Sequence, residues 1–89
     1  MKGSLVKSMV IDTLGSIDKS KGKRIVIRLM ELNGYRYLDM RTFILENDKW
    51  KPTGKGITLS KNSFGSFLQI LDSGQEVIEL ALNAETPST

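Results

Sequence analysis

Arg24 and Arg28, then Tyr35, Tyr37, Arg41 and Phe43, recur at alternating positions in two neighbouring stretches of an 89-residue chain. A period of two places such residues on one face of a sheet. Guanidinium groups meet phosphate oxygens through paired N–H donors. Aromatic rings stack on unpaired bases, at about 1–3 kcal/mol per base. A duplex hides its base faces, so this combination suits a single strand. The same residues have a plainer use. The rings can be cross-strand pairs that brace a sheet or sit in a dimer. Arg24, Arg28 and Arg41 can be surface charges paired with Asp39 and Glu31. The pattern alone leaves both uses open.

Other chemistries are poorly served. The stretch WKPTGKGITLS, Trp50 to Ser60, has the alphabet of a phosphate loop. A Walker loop needs a glycine, four residues, then Gly-Lys-Ser/Thr opening a helix. Here Gly54-Lys55 runs into Gly56 and then strand-like Ile57-Thr58-Leu59, and position 49 is lysine. There is no histidine and no cysteine. That removes the usual general base, the usual nucleophile activator and the commonest metal ligands. Asp12, Asp18, Glu31, Asp39, Glu46 and Asp48 form no evident metal-binding cluster in sequence. The expectation is a protein without catalytic activity, cofactor or metal.

The net charge of +3 is unevenly spread. Residues 1–61 hold all 13 Lys and Arg against six acids, a balance of +7; residues 62–89 hold four acids and no base, −4. A basic body with an acidic end points to a polyanionic partner for the body. Eighty-nine residues make one thin-cored domain without disulfides, so self-association is a natural source of buried surface. No long apolar run marks a signal peptide or membrane span, and the expectation is a soluble intracellular protein.

The elements that must position these residues follow from periodicity. Leu5 to Leu14 reads as a first strand, and Gly15-Ser16 and Asp18 to Lys23 as turn-like. Arg24 to Leu32 alternates as a second strand. Asn33-Gly34 is a strong hairpin signal, since both residues tolerate positive φ. Tyr35 to Leu45 alternates again, and Glu46-Asn47-Asp48 is a polar turn. Lys49 to Leu59 is a fourth strand with an irregular start at Pro52 and Gly54. The period then changes. Ser60 is a candidate N-cap, and Phe64, Phe67, Leu68 and Leu71 follow at helical spacing. Asp72-Ser73-Gly74 reads as a helix end. Gln75 to Leu82 is either a second helical piece or an added strand, and Ala84 to Thr89 a frayed tail.

The fold class expected is α+β: a four-stranded antiparallel curved meander, then a C-terminal helix packing on one face, all within residues 1–83, with 84–89 a flexible tail. The helix should cover the face of Ile25, Ile27, Leu29, Leu38, Met40 and Ile44. Phe64, Phe67, Leu68 and Leu71 then serve as core and dimer seam, and Gly65 is a candidate for close helix approach. The face with Arg24, Arg28, Tyr35, Tyr37, Arg41 and Phe43 stays open.

The stretch YLDMRTFILENDKWKPTGKGITLS, Tyr37 to Ser60, resembles the transcriptional coactivator family known as positive cofactor four. The shared pattern is an apolar strand with Asp-Met-Arg, an acidic turn, Trp-Lys-Pro, then Lys-Gly-Ile-Thr-Leu and a helix. The resemblance implies a Whirly-like homodimer joined through its helices, whose sheets hold single-stranded DNA or unwound duplex with little sequence preference. By position it implies DNA contact for Arg41, for Lys51 and Pro52, for Lys55 and Gly56, and for Lys23 near a basic position of the family. Leu32 and Ile44 stand where many members have stacking aromatics. Tyr35, Tyr37, Phe43 and Trp50 are the candidates to replace them. In that setting Pro52 and Gly54 let the backbone approach a phosphate chain, and Lys51 and Lys55 supply charge. The Ser/Lys-rich N-terminal region of eukaryotic members has no counterpart here. The expectation is therefore a bacterial or phage member, cytoplasmic in a bacterium or infected host cell (nuclear if eukaryotic).

Two functions stand against each other. One is a non-catalytic single-strand binder acting in transcription, replication or recombination, with RNA as a variant ligand and transcription or replication proteins as further partners. The other is a protein-interaction module whose basic, aromatic face docks an acidic partner.

Overall fold

The structure is a computed structural model and describes residues 8–84. Four strands, β1 (Ser8–Ser20), β2 (Lys23–Leu32), β3 (Tyr35–Glu46) and β4 (Lys49–Leu59), form one antiparallel sheet in chain order. The helix α1 (Lys61–Asn83) follows at once. Two-residue turns join the strands. At the second turn Asn33 and Gly34 have φ of 51° and 85°, and at the third Asn47 and Asp48 have 52° and 65°. Paired positive φ values match the right-handed twist of the flanking strands, which is why such turns close tight hairpins.

The register sorts the side chains. Ile25 pairs Thr42, Ile27 pairs Met40, and Leu29 pairs Leu38, which in turn pairs Leu59. These rows form the apolar face. The opposite rows are Arg24–Phe43, Val26–Arg41, Arg28–Asp39 and Met30–Tyr37. The two faces are therefore divided as the alternation predicts.

Three expectations need correction. The first strand does not stop at Leu14; it runs through Gly15-Ser16 to Ser20. It bends at three register shifts, near Ile11, Leu14 and Lys19. As an edge strand exposed along its length, it can absorb bulges and a glycine without losing its single line of partners. Its expected first residues, Leu5 to Lys7, lie outside the described residues, as does the expected tail from Glu85 on. The second correction is the helix end. Gly74 lies inside a continuous 23-residue helix, and Gln75 to Leu82 are its last turns. Ser60 is the N-cap by position and backbone, but its hydroxyl makes no capping bond to the helix backbone.

The third concerns cover. Among the described residues the helix meets only β3 and β4, and none of its own residues is buried. Between its first turn and the sheet lies an apolar cleft of about 370 Å³, lined by Leu14, Ile27, Leu29, Leu38, Leu59 and Phe64 among others. The apolar face is thus only half covered. Among the described residues the buried apolar side chains are Val26 and Met30, and both lie on the arginine face. Their cross-strand partners, Arg41 and Tyr37, are long side chains that shield them. The chain is elongated, 57 × 37 × 19 Å, with a radius of gyration of 16.6 Å. A compact chain of this length would have about 12 Å.

Candidate nucleic-acid interface

At the centre of the arginine face sits a buried acid. Asp39, on β3, is 2 % exposed. Arg28 Nη2 donates to its Oδ2 at 2.9 Å from β2. Arg41, two residues along β3 and so on the same face, donates from Nη2 to Oδ1 at 2.9 Å and from Nε at 3.2 Å. Burial by itself raises the Asp39 carboxyl; the hydrogen bonds from Arg41 and Arg28, and their charges, outweigh it and hold the group below its ordinary value. One carboxylate thus orders two guanidinium groups and neutralises only one of them.

Arg41 also reaches β4. Its Nη1 donates to the Thr53 carbonyl at 2.9 Å. The register explains why that carbonyl is there: Phe43 pairs Pro52 and Arg41 pairs Gly56, so Thr53, Gly54 and Lys55 all stand opposite the single residue Thr42. The bulge is tied down from within. Thr53 Oγ1 donates to the Thr42 carbonyl at 2.8 Å and accepts from the Lys55 N–H at 3.1 Å. Just beyond it β4 closes tightly on β3. A Cβ on Gly56 would lie 2.7 Å from the Met40 carbonyl oxygen and 2.9 Å from Arg41 Cα, so only glycine fits.

Two rings join the face. The Arg24 guanidinium stacks on Trp50, 3.7 Å from the ring centroid, and that of Arg28 lies 5.0 Å from the Phe43 centroid. The planar guanidinium suits close approach to a ring face such as that of Arg24 on Trp50. Asp18 approaches Arg24 only loosely, at 3.9 Å. The Nε atoms of Arg24 and Arg28 are buried and have no hydrogen-bond partner among the described residues.

The structure therefore brings together Arg24, Arg28, Arg41, Phe43 and Trp50, with Tyr37 and Gly56 in the same rows and Pro52 opposite Phe43. Tyr35 is at the far hairpin, 78 % exposed. Lys55 is exposed within the bulge. Lys23 and Lys51 fall elsewhere: they pair with Ile44 from either side, so the register sets them on the apolar face, and Lys51 bonds Glu46 at 3.1 Å. Of the family's two aromatic positions, Leu32 pairs Tyr35 on the arginine face and Ile44 lies on the other. Sequence reasoning treated Asp39 only as a surface ion-pair partner and passed over Thr53. The first was readable from the hairpin register; the second carried no signal.

The sequence pattern of the family described as Transcriptional Coactivator p15 (PC4) matches residues 19–70, more than half of the chain. The chain belongs to the PC4 family. The match includes β2, β3, β4 and the first half of α1, and so the whole arginine cluster. No curated protein sequence matches. Among solved structures, the chain is similar to a bacteriophage T5 homolog of the eukaryotic transcription coactivator PC4, implicated in recombination-dependent DNA replication. Identity is 25 % over 90 % of this chain and 98 % of that one, with a TM-score of 0.48.

Proposed function

We propose that this PC4-family chain is a homodimeric, non-catalytic protein that binds single-stranded DNA with little sequence preference, in replication, recombination or transcription. The observation that carries the reading is the arginine face. Three guanidinium groups share one face of the sheet: Arg28 and Arg41 bond a single buried carboxylate, and Arg24 and Arg28 lie over the rings of Trp50 and Phe43. Each arginine carries five N–H donors. Arg41 directs its three nitrogens at Asp39 and Thr53, but the second hydrogens on its terminal nitrogens remain for a phosphate oxygen. Arg24 and Arg28 keep more. Trp50, Phe43 and Tyr37 supply planes for bases, and Lys55 and Gly56 mark where a strand's backbone passes close to β4. Lys23 and Lys51 contribute to the surrounding positive field rather than to this face.

The test is fluorescence anisotropy with labelled oligo-dT. Affinity should fall steeply with salt, because phosphate contacts release counterions. Trp50→Ala and Lys55→Ala should each weaken binding to all sequences, by about 1–3 kcal/mol for the ring. A wild-type chain that binds oligo-dT no better than about 10⁻⁴ M at low salt would instead favour an acidic protein partner for this face.

A further inference from the structure

Asp39 lies where a polyanion site should not have an acid. If charge alone governed the face, the carboxylate would only weaken it. The geometry shows a different use. Asp39 is the common acceptor of Arg28 and Arg41, and Arg41 in turn holds the Thr53 carbonyl. Thr53 then fixes the bulge through the Thr42 carbonyl and the Lys55 N–H. The links run without a gap from the centre of β2 to the exposed lysine of β4.

We propose that Asp39 and Thr53 are positioning residues for polynucleotide binding, setting the arginine donors and the Thr53–Lys55 bulge in the arrangement a single strand meets. The inference rests on the reading of this face as a single-strand site. Two physical arguments support it. A free arginine has many rotamers, and ordering it on binding costs conformational entropy. Two arginines already held by a carboxylate have met that cost during folding, which is the gain of preorganisation. The bulge has the same logic. Three residues opposite one break the regular pairing, and the Arg41 and Thr53 hydrogen bonds tie that stretch to β3.

The two accounts of Asp39 differ in sign. Asp39→Asn raises the net charge by one. A purely electrostatic face would then bind oligo-dT more tightly, with a salt dependence as steep or steeper. Positioning predicts the reverse: about tenfold weaker binding despite the added charge, the loss expected when the anionic acceptor of charge-assisted bonds becomes a neutral amide with only one accepting oxygen. The slope of log affinity against log salt should also become shallower by about 0.7 for each phosphate that the displaced arginines no longer neutralise. Because a buried acid can be needed for folding, Thr53→Val is the second variant. It keeps shape and charge and removes only the hydroxyl; oligo-dT binding should weaken by about threefold to tenfold. Thermal melts on both variants show that the folded protein is being assayed. A wild-type chain that fails to bind oligo-dT overturns the single-strand reading and this inference together. A wild-type chain that binds, with a folded Asp39→Asn or Thr53→Val that binds equally or better, overturns the inference alone.

Discussion

Asp39 also ties the acid stability of the protein to one cluster of side chains. Its carboxyl is held below the ordinary carboxylate value, burial opposing and the Arg41 and Arg28 hydrogen bonds prevailing. A depressed carboxylate contributes stability that is fully present above its unfolded pKa and is lost as pH falls through the folded one. The window therefore opens at about pH 4, the ordinary aspartate value, and extends downward. Thermal melts from about pH 5 to about pH 2 should show a falling midpoint for the wild type. Asp39→Asn should start less stable and show a flatter acid limb. An equally steep limb in the variant would assign the acid sensitivity to other carboxylates. The pairing behind this effect was legible without a structure. Asn33-Gly34 sets a two-residue turn, so Leu32 must face Tyr35, and counting back four residues on each side puts Arg28 against Asp39. Thr53 was not legible, because no period or turn signal announces three residues opposite one. Lys23 and Lys51 were misplaced for a related reason: resemblance transfers a position along the chain, whereas the pleat decides which face it serves.

At the scale of elements, the regular pieces were readable and the edges were not. Strands β2, β3 and β4 sit within a residue of their expected bounds because both of their inner hairpins have turn chemistry that fixes register. The first strand has only one neighbour, and its bulges break the alternation that would have revealed its length. The helix was cut short at Asp72-Ser73-Gly74, a composition that ends helices when the residues beyond it have no reason to continue. Here Ile78 and Leu82 extend the apolar stripe of Phe64, Leu68 and Leu71, and the helix runs on through Gly74, whose cost inside a helix is only about 1 kcal/mol. Gly65 tests what the helix does with its other side. A Cβ there meets nothing within 4 Å, and the position lies away from the apolar stripe. Gly65→Ala should therefore stabilise the protein by about 0.5–1 kcal/mol in urea melts. Destabilisation would mean that another backbone approaches at Gly65, as the glycine alone suggested.

At the scale of the whole molecule, apolar surface stays open that the proposed second copy would cover. Leu68, Leu71 and Ile78 are 49 %, 40 % and 38 % exposed along one stripe, beside an apolar sheet face that the helix leaves half open. A helix of 23 residues is about 34 Å long and touches only part of the sheet. In the proposed homodimer, two such chains related by a twofold axis would bury stripe against stripe and leave both arginine faces outward. Isologous pairing of this kind is the commonest closed assembly. Two arginine faces on one particle also bind a long strand more tightly than either alone, since the second contact is intramolecular. Sedimentation equilibrium should accordingly give twice the 9.9 kDa chain mass. Ile78→Asp, a charge on this stripe, should shift the protein to monomer. It should also weaken binding to a long oligo-dT far more than to one too short to span both faces, because it removes the linkage and not the site. Gln69→Asp, away from the stripe, should leave mass and affinity near wild type. A wild-type chain that sediments at the monomer mass, or an Ile78→Asp dimer, would mean that the exposed stripe serves a partner other than a second copy of this chain.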